Sequence, residues 1–78
     1  MKILVIDQMS QSLEIIHLTE EETEQILSNE DMEDQWYESE AILTDHGYFT
    51  QEPGLSWMIG DEFPVFDDQH GNEPIMML

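Results

Sequence analysis

Cysteine is absent from this chain of 78 residues, and lysine and arginine together supply a single residue, Lys2. Without cysteine, no disulfide can staple a small fold and no thiolate can act as a nucleophile or metal ligand, which favours a reducing compartment. With one cation, the chain cannot neutralise the phosphates of a nucleic acid, so direct nucleic-acid binding is excluded.

Long apolar runs are also missing. No segment approaches the ~20 apolar residues of a membrane span. Residues 1–6 lack the longer apolar region and the small-residue cleavage site of a signal peptide. The acidic surface would be repelled by an anionic membrane. We therefore expect a cytoplasmic protein that does not bind membranes.

Acidic residues dominate what is present. Asp and Glu number 19, and the formal net charge is −18. An acidic chain poor in aromatics is often disordered, but here 40% of the residues are hydrophobic and 9% are aromatic. This apolar content favours one small folded domain over residues 1–78.

The first half of the chain predicts two strands and a helix. Residues 3–6 and 13–18 read as strands, and in the second of these Glu14, Ile16 and Leu18 share one face. Thr19 and Glu22 fit a capping box that opens a helix ending near residues 28–29. A second short helical piece then carries Met32 and Trp36 one turn apart.

The second half predicts strands joined by short loops. Residues 38–44 have strand character, residues 48–50 and 55–59 form a hairpin about Pro53 and Gly54, and residues 63–66 and 74–78 form a final pair turning at residues 70–72. The predicted fold is α+β, a small antiparallel β-sheet with one or two helices packed on one face.

No catalytic or metal-binding motif is recognisable. His17, His46 and His70 have carboxylates nearby in the sequence, but no spacing matches a ligand pattern, and residues 67–73 lack the alternation of a calcium loop. Carboxylates are so numerous that a pair of them carries no information about acid–base catalysis. We expect no enzymatic activity, no cofactor and no metal.

The acidic residues nevertheless form a pattern. Glu38 and Glu40 are predicted to lie on one strand face, roughly 6.6–6.8 Å apart, and Glu20, Glu21 and Glu24 crowd the start of the first helix. Such a surface can imitate the phosphates of a DNA backbone. A merely solvated face is the simpler alternative, but ordinary solubility needs a net charge of only about 2–8. We expect a basic DNA-binding protein as the partner.

Three segments resemble the uracil-DNA glycosylase inhibitor family of uracil-DNA phages. Residues 18–26 resemble the family's Leu-Pro-Glu-Glu-Val-Glu-Glu-Val-Ile, and residues 42–59 align without a gap with its second and third strands. Residues 68–78 resemble its C-terminal Asp-Ser-Asn-Gly-Glu-Asn-Lys-Ile-Lys-Met-Leu. The likeness covers about half of the chain. This chain departs from the family by opening with a predicted strand, by a longer stretch over residues 28–41 and by a shorter link before Val65.

The resemblance implies a mechanism and a set of residues. Family members block a host uracil-DNA glycosylase stoichiometrically by occupying its DNA groove. Glu21 and Glu24 align with acidic helix positions that face the enzyme, and Glu14 lies near the family's key strand glutamate. The family pocket that grips an apolar residue of the enzyme aligns with Ile26, Trp57, Ile59 and Val65. We expect each of these to be a core residue first, with the pocket formed by the edge of that core.

Two alternatives remain open. One is a DNA mimic directed at another target, such as a restriction enzyme, a CRISPR effector or a nucleoid protein. The other is an acidic adaptor that does not imitate DNA.

Overall fold

The computed structural model describes residues 1–69 and 71–78, and it confirms an α+β fold. The elements in chain order are β1 (Lys2–Asp7), β2 (Ser12–His17), α1 (Glu20–Leu27), α2 (Met32–Asp45), β3 (Leu55–Gly60), β4 (Pro64–Val65) and β5 (Met76–Met77). Strands β1 to β3 form an antiparallel sheet in the order β2-β1-β3, and β4 pairs with β5. In the described residues, no helix has the length and apolar character needed to cross a membrane.

Both helices pack on one face of the three-stranded sheet. Ile3 lies between Ile16 and Ile59 in the sheet, and Val5 lies between Glu14 and Trp57. The sheet residues Ile3, Val5 and Ile16 form the core together with three helical residues, Ile26, Ile42 and Leu43. The predicted alternation of β2 is confirmed, since Ile16 faces this core.

The opposite face of the sheet is partly covered by the C-terminal segment. Phe63 is buried, and its ring lies so close to Gly60 that a Cβ there would approach the ring to 3.2 Å. On the same face, Lys2 Nζ donates a hydrogen bond to the Leu78 carbonyl at 3.5 Å. Lys2, the only lysine or arginine of the sequence, therefore lies on the sheet face away from the helices.

The prediction of a strand over residues 38–44 is wrong, because these residues belong to the 14-residue helix α2. The Asp31 side chain caps this helix by accepting a hydrogen bond from the Glu33 N–H at 3.0 Å. Ser39, Ile42 and Leu43 are its buried residues, at the three- and four-residue spacing of one helix face. A short apolar run such as Ala-Ile-Leu fits either element, and here the cap and this spacing favour helix.

The predicted hairpin between residues 48–50 and 55–59 is also wrong. Residues 48–50 form a loop, and β3 pairs with β1. Gly47, at φ 92°, reverses the chain after α2, and the Tyr48 N–H then bonds to the Leu43 carbonyl at 3.0 Å. Because Tyr48 is bonded to the end of α2, the segment cannot run beside β3.

The final strand pair is confirmed, although its strands are shorter than predicted. Pro64 pairs with Met77, and Val65 pairs with Met76. The predicted turn between these strands includes His70, which lies outside the described residues. Gly71 in that turn has a φ of 69°, a backbone conformation that glycine adopts readily.

Candidate functional site: an acidic helical layer and a tryptophan groove

Negative charge is concentrated on the helical side of the molecule. Eleven of the 19 Asp and Glu residues lie within residues 20–45, which contain α1 and α2 and are called here the acidic helical layer. On the opposite sheet face, none of the strand positions carries Asp or Glu. These positions are Lys2, Leu4, Ile6, Leu13, Ile15, His17, Ser56, Met58 and Gly60. A further five acidic residues lie in the C-terminal segment, from Asp61 to Glu73.

The start of α1 presents its glutamates in a fixed frame. The predicted capping box is confirmed: the Glu22 N–H donates to Thr19 Oγ1 at 3.1 Å, and the Thr19 N–H donates to Glu22 Oε1 at 3.0 Å. Glu20, Glu21 and Glu24 are all exposed around this cap. Glu20 and Glu24, one helical turn apart, line a surface concavity of about 500 Å³.

Glu22 also links the two helices. Its Oε2 lies 2.8 Å from Nε2 of His46, the residue that follows α2. The hydrogen bond from the Thr19 backbone N–H, supported by His46, lowers the pKa of Glu22 below its ordinary value. Glu22 therefore stays ionised to lower pH than a free glutamate.

Glu38 and Glu40 do not share a face as predicted. Two residues apart on an α-helix, they point to nearly opposite sides of α2. Glu38 faces α1, where its Oε2 accepts a hydrogen bond from Gln25 Nε2 at 2.8 Å. Glu40 lines a different concavity, of about 540 Å³, together with Tyr48, Phe49 and Pro53. The strand spacing predicted between them therefore does not exist.

The side chain of Glu14 is held by a residue of the loop that follows α2. The Tyr48 hydroxyl donates a hydrogen bond to Glu14 Oε2. This bond to the Glu14 carboxylate, together with partial burial, raises the pKa of Tyr48 to about 12. Glu14 lies on the core-facing side of β2, paired with Val5, so it joins the same side of the molecule as the helices.

An apolar groove runs beside the free edge of β3, between this strand and α2. Its volume is about 280 Å³, and Trp36, Trp57 and Ile59 line it with Met32. The two indole rings stack with centroids 4.8 Å apart and an interplanar angle of 11°. Trp57 Nε1 donates to the buried Ser39 Oγ at 2.9 Å, and Ser39 in turn donates to the Trp36 carbonyl. These bonds fix the rings of what we call the tryptophan groove.

The structure brings together some of the predicted apolar contact residues and separates others. Trp57 and Ile59 line the tryptophan groove. Ile26 is 0% exposed and belongs to the core, so no partner can reach it. Val65 lies on β4 against Met76, in the other sheet. Trp36 and Ser39 were missed as site residues, and a helical interpretation of residues 38–44 would have placed them three residues apart on one helix.

Comparison of the chain with protein-family models, curated proteins and solved structures gave no match. Within residues 1–69 and 71–78, no three His, Asp or Glu side chains are grouped to hold a metal ion. The chemistry that the described residues offer is a dense array of carboxylates beside an aromatic groove.

Proposed function

We propose that this chain is a DNA-mimic inhibitor that binds the basic DNA-binding groove of a partner protein and keeps DNA out. The observation that carries the proposal is the segregation of charge. The acidic helical layer holds eleven of the 19 carboxylates, whereas Lys2 lies on the far sheet face. Solubility alone is served by a net charge of about 2–8, so it does not require eleven carboxylates within residues 20–45.

The contacts of individual carboxylates support the same proposal. Glu14, Glu22 and Glu38 are each positioned by a hydrogen bond, from Tyr48, Thr19 and Gln25 respectively. None of these donors is a lysine or arginine. Glu22 also has His46 Nε2 at 2.8 Å, whereas Glu14 and Glu38 are oriented by neutral donors alone. A partner's cations would meet negative groups that have already lost part of their side-chain freedom, which lowers the entropic cost of binding.

A bacterial uracil-DNA glycosylase is the first target to test, in the cytoplasm of a phage-infected host. Support comes from the sequence resemblance over residues 18–26 and 68–78. A second candidate is a DNA mimic directed at another protein, such as a restriction enzyme, a CRISPR effector or a nucleoid protein. This second candidate is favoured because residues 42–45 belong to helix α2, whereas the family that the chain resembles has a strand at these positions.

The decisive experiment measures uracil excision by a bacterial uracil-DNA glycosylase at increasing ratios of this protein. We expect complete inhibition near equimolar amounts. The matched variants are Glu21→Gln and Glu24→Gln, with Glu52→Gln and Glu62→Gln as controls outside the acidic helical layer. A carboxylate desolvated at the centre of the contact should cost about 2–5 kcal/mol when its charge pair is broken.

Two further measurements distinguish a wrong target from a wrong class of function. This protein is added at about a tenfold molar excess over the enzyme, at a concentration far above the dissociation constant of a tight complex. Full glycosylase activity under these conditions would rule out this target. Partners captured from a bacterial lysate would then be tested for competition with duplex DNA. A mimic should compete, with an association rate that falls as salt rises. Binding that leaves DNA binding intact would instead indicate an acidic adaptor.

A further inference from the structure

The outer side of α2 carries two adjacent aromatic residues that are exposed. Glu38 faces α1 and Ser39 is buried beside β3, and these two contacts mark the inner sides of the helix. Trp36 is 41% exposed and Tyr37 is 55% exposed. Adjoining exposed aromatic residues are typical of a binding surface, because protein interfaces are enriched in Trp and Tyr.

The two rings are already held in place. One face of Trp36 lies on Trp57, with the ring planes 11° from parallel, and Trp57 is fixed by its bond to Ser39. The Tyr37 ring stands at 74° to the Trp36 ring, with the centroids 5.5 Å apart. The rings therefore form a corner, and a ligand that binds there orders fewer side chains than it would on a mobile surface.

Two carboxylates flank this aromatic pair, one helical turn away on either side. Glu33 precedes Trp36 by three residues and Tyr37 by four, and Glu40 follows them at the reverse spacings. Residues three and four apart are neighbours on a helix surface. Glu33 is exposed and Glu40 is half-buried. The ion pairs found within residues 1–69 and 71–78 involve neither of these carboxylates.

This combination of groups fits a cation. The face of an aromatic ring attracts cations through its quadrupole, and the carboxylates attract them through their charge. An apolar side chain placed here would desolvate Glu33 or Glu40 without pairing it, which is unfavourable. A nucleic-acid base would bring phosphates into the field of a chain that carries −18.

Among the basic side chains, arginine matches the site better than lysine. The planar guanidinium of arginine stacks on an aromatic ring and donates two parallel hydrogen bonds to one carboxylate. The ammonium of lysine is a compact and strongly hydrated point charge, so it gains less from a flat ring.

We propose that Glu33, Trp36, Tyr37 and Glu40 form an arginine site, which receives an arginine side chain from the basic groove of the inhibited partner. The guanidinium lies against one of the two rings and donates to the carboxylate of Glu33 or Glu40. The identity of this partner rests on the proposed function. The arginine site adds what a diffuse negative field lacks, because the field attracts arginine and lysine alike.

Octa-arginine and octalysine peptides test the site without the partner. The two peptides have the same number of side-chain charges, so a diffuse field should bind them with similar affinity. Isothermal titration calorimetry at about 150 mM salt keeps the exposed charges screened. We expect octa-arginine to bind the wild-type protein about twofold to fivefold more tightly than octalysine, the size of a cation–π contact at an exposed ring.

Variants locate the source of this preference. Tyr37→Leu should reduce it while leaving the stack of Trp36 on Trp57 in place, and Tyr37→Leu combined with Trp36→Leu should abolish it. The matched control is Phe66→Leu, because Phe66 is also 55% exposed but lies in the C-terminal segment. If the double variant fails to fold by circular dichroism, Tyr37→Leu alone decides.

A second pair of variants tests the carboxylates. Glu33→Gln should also reduce the preference for octa-arginine, whereas Glu62→Gln, an exposed glutamate outside the acidic helical layer, should not. Equal binding of the two peptides by the wild-type protein, or a preference that Tyr37→Leu and Phe66→Leu change equally, would overturn the arginine site. Either result would leave the proposed function standing, since groove occlusion by charge needs no stacked arginine. Conversely, a glycosylase that remains active would not affect the peptide measurements.

Discussion

Single side chains decide how the carboxylates of this molecule are presented. Glu14 and Tyr48 are 34 residues apart in the sequence, yet the tyrosine hydroxyl donates a hydrogen bond to the glutamate carboxylate. Ser39 is completely buried, and it accepts the indole N–H of Trp57 while donating to the Trp36 carbonyl. In both cases a neutral hydroxyl satisfies a polar group without introducing positive charge.

The Tyr48–Glu14 bond predicts an unusual titration. The pKa of Tyr48 is raised to about 12, from an ordinary value of 10.0, because the Glu14 carboxylate accepts a bond from the neutral phenol. The contribution of the bond to stability is therefore complete below pH 10 and is lost as the pH rises through about 12. Glu14→Gln should move this titration towards 10 in the near-ultraviolet phenolate absorbance. Unchanged curves for Glu14→Gln, with Glu52→Gln as control, would contradict the bond.

At the scale of elements, α1 depends on its ends. It has eight residues, one buried side chain, Ile26, and no basic residue in its last turn. Short helices are marginal without packing and capping. The capping box therefore sets where α1 begins and how Glu20, Glu21 and Glu24 are presented.

Removing the cap should destabilise the protein measurably. Thr19→Ala should lower the free energy of unfolding by about 1 kcal/mol in urea titrations, whereas Thr19→Ser keeps the hydroxyl and should cost much less. The pKa of Glu22 is lowered from 4.5, so its part of the capping box is fully present above pH 4.5 and is lost as the pH falls further. Equal losses for the alanine and serine variants would show that the hydroxyl does not contribute.

At the scale of the whole molecule, charge and packing oppose each other. The core is small, with Ile3, Val5, Ile26 and Leu43 among its largest fully buried side chains. A charge of −18 held on a domain of this size works against the compact state. The acidic helical layer therefore persists because the apolar face beneath it outweighs the repulsion.

Screening this repulsion should stabilise the fold. Between about 0.1 M and 1 M salt the Debye length falls from about 10 Å to 3 Å. We expect the melting temperature, followed by circular dichroism, to rise by about 4–8 °C, which corresponds to ~1 kcal/mol. The paired change Asp67→Asn and Asp68→Asn should reduce the salt effect. A melting temperature independent of salt would mean that repulsion between the carboxylates does not destabilise the fold.

Local patterns in the sequence determined the elements whose signals lie within a few residues. The Thr19–Glu22 capping box was predictable because it depends on hydrogen bonds between residues close in sequence. Strand alternation likewise predicted the N-terminal strands, with Glu14 and Ile16 on one face, and the final strand pair. The charge imbalance was equally visible, since it depends on composition alone.

Only the tertiary structure decided which distant segments meet. Residues 38–44 are helical, and their buried residues Ser39, Ile42 and Leu43 lie on one helix face against the sheet. A short apolar run alone does not distinguish a helix from a strand. Strand β3 pairs with β1, whereas Tyr48, at the start of the other arm of the predicted hairpin, bonds to the end of α2. The stacking of Trp36 on Trp57 and the bond from Tyr48 to Glu14 follow from those choices. Such contacts close long loops, and their free energy depends on packing that no local pattern encodes.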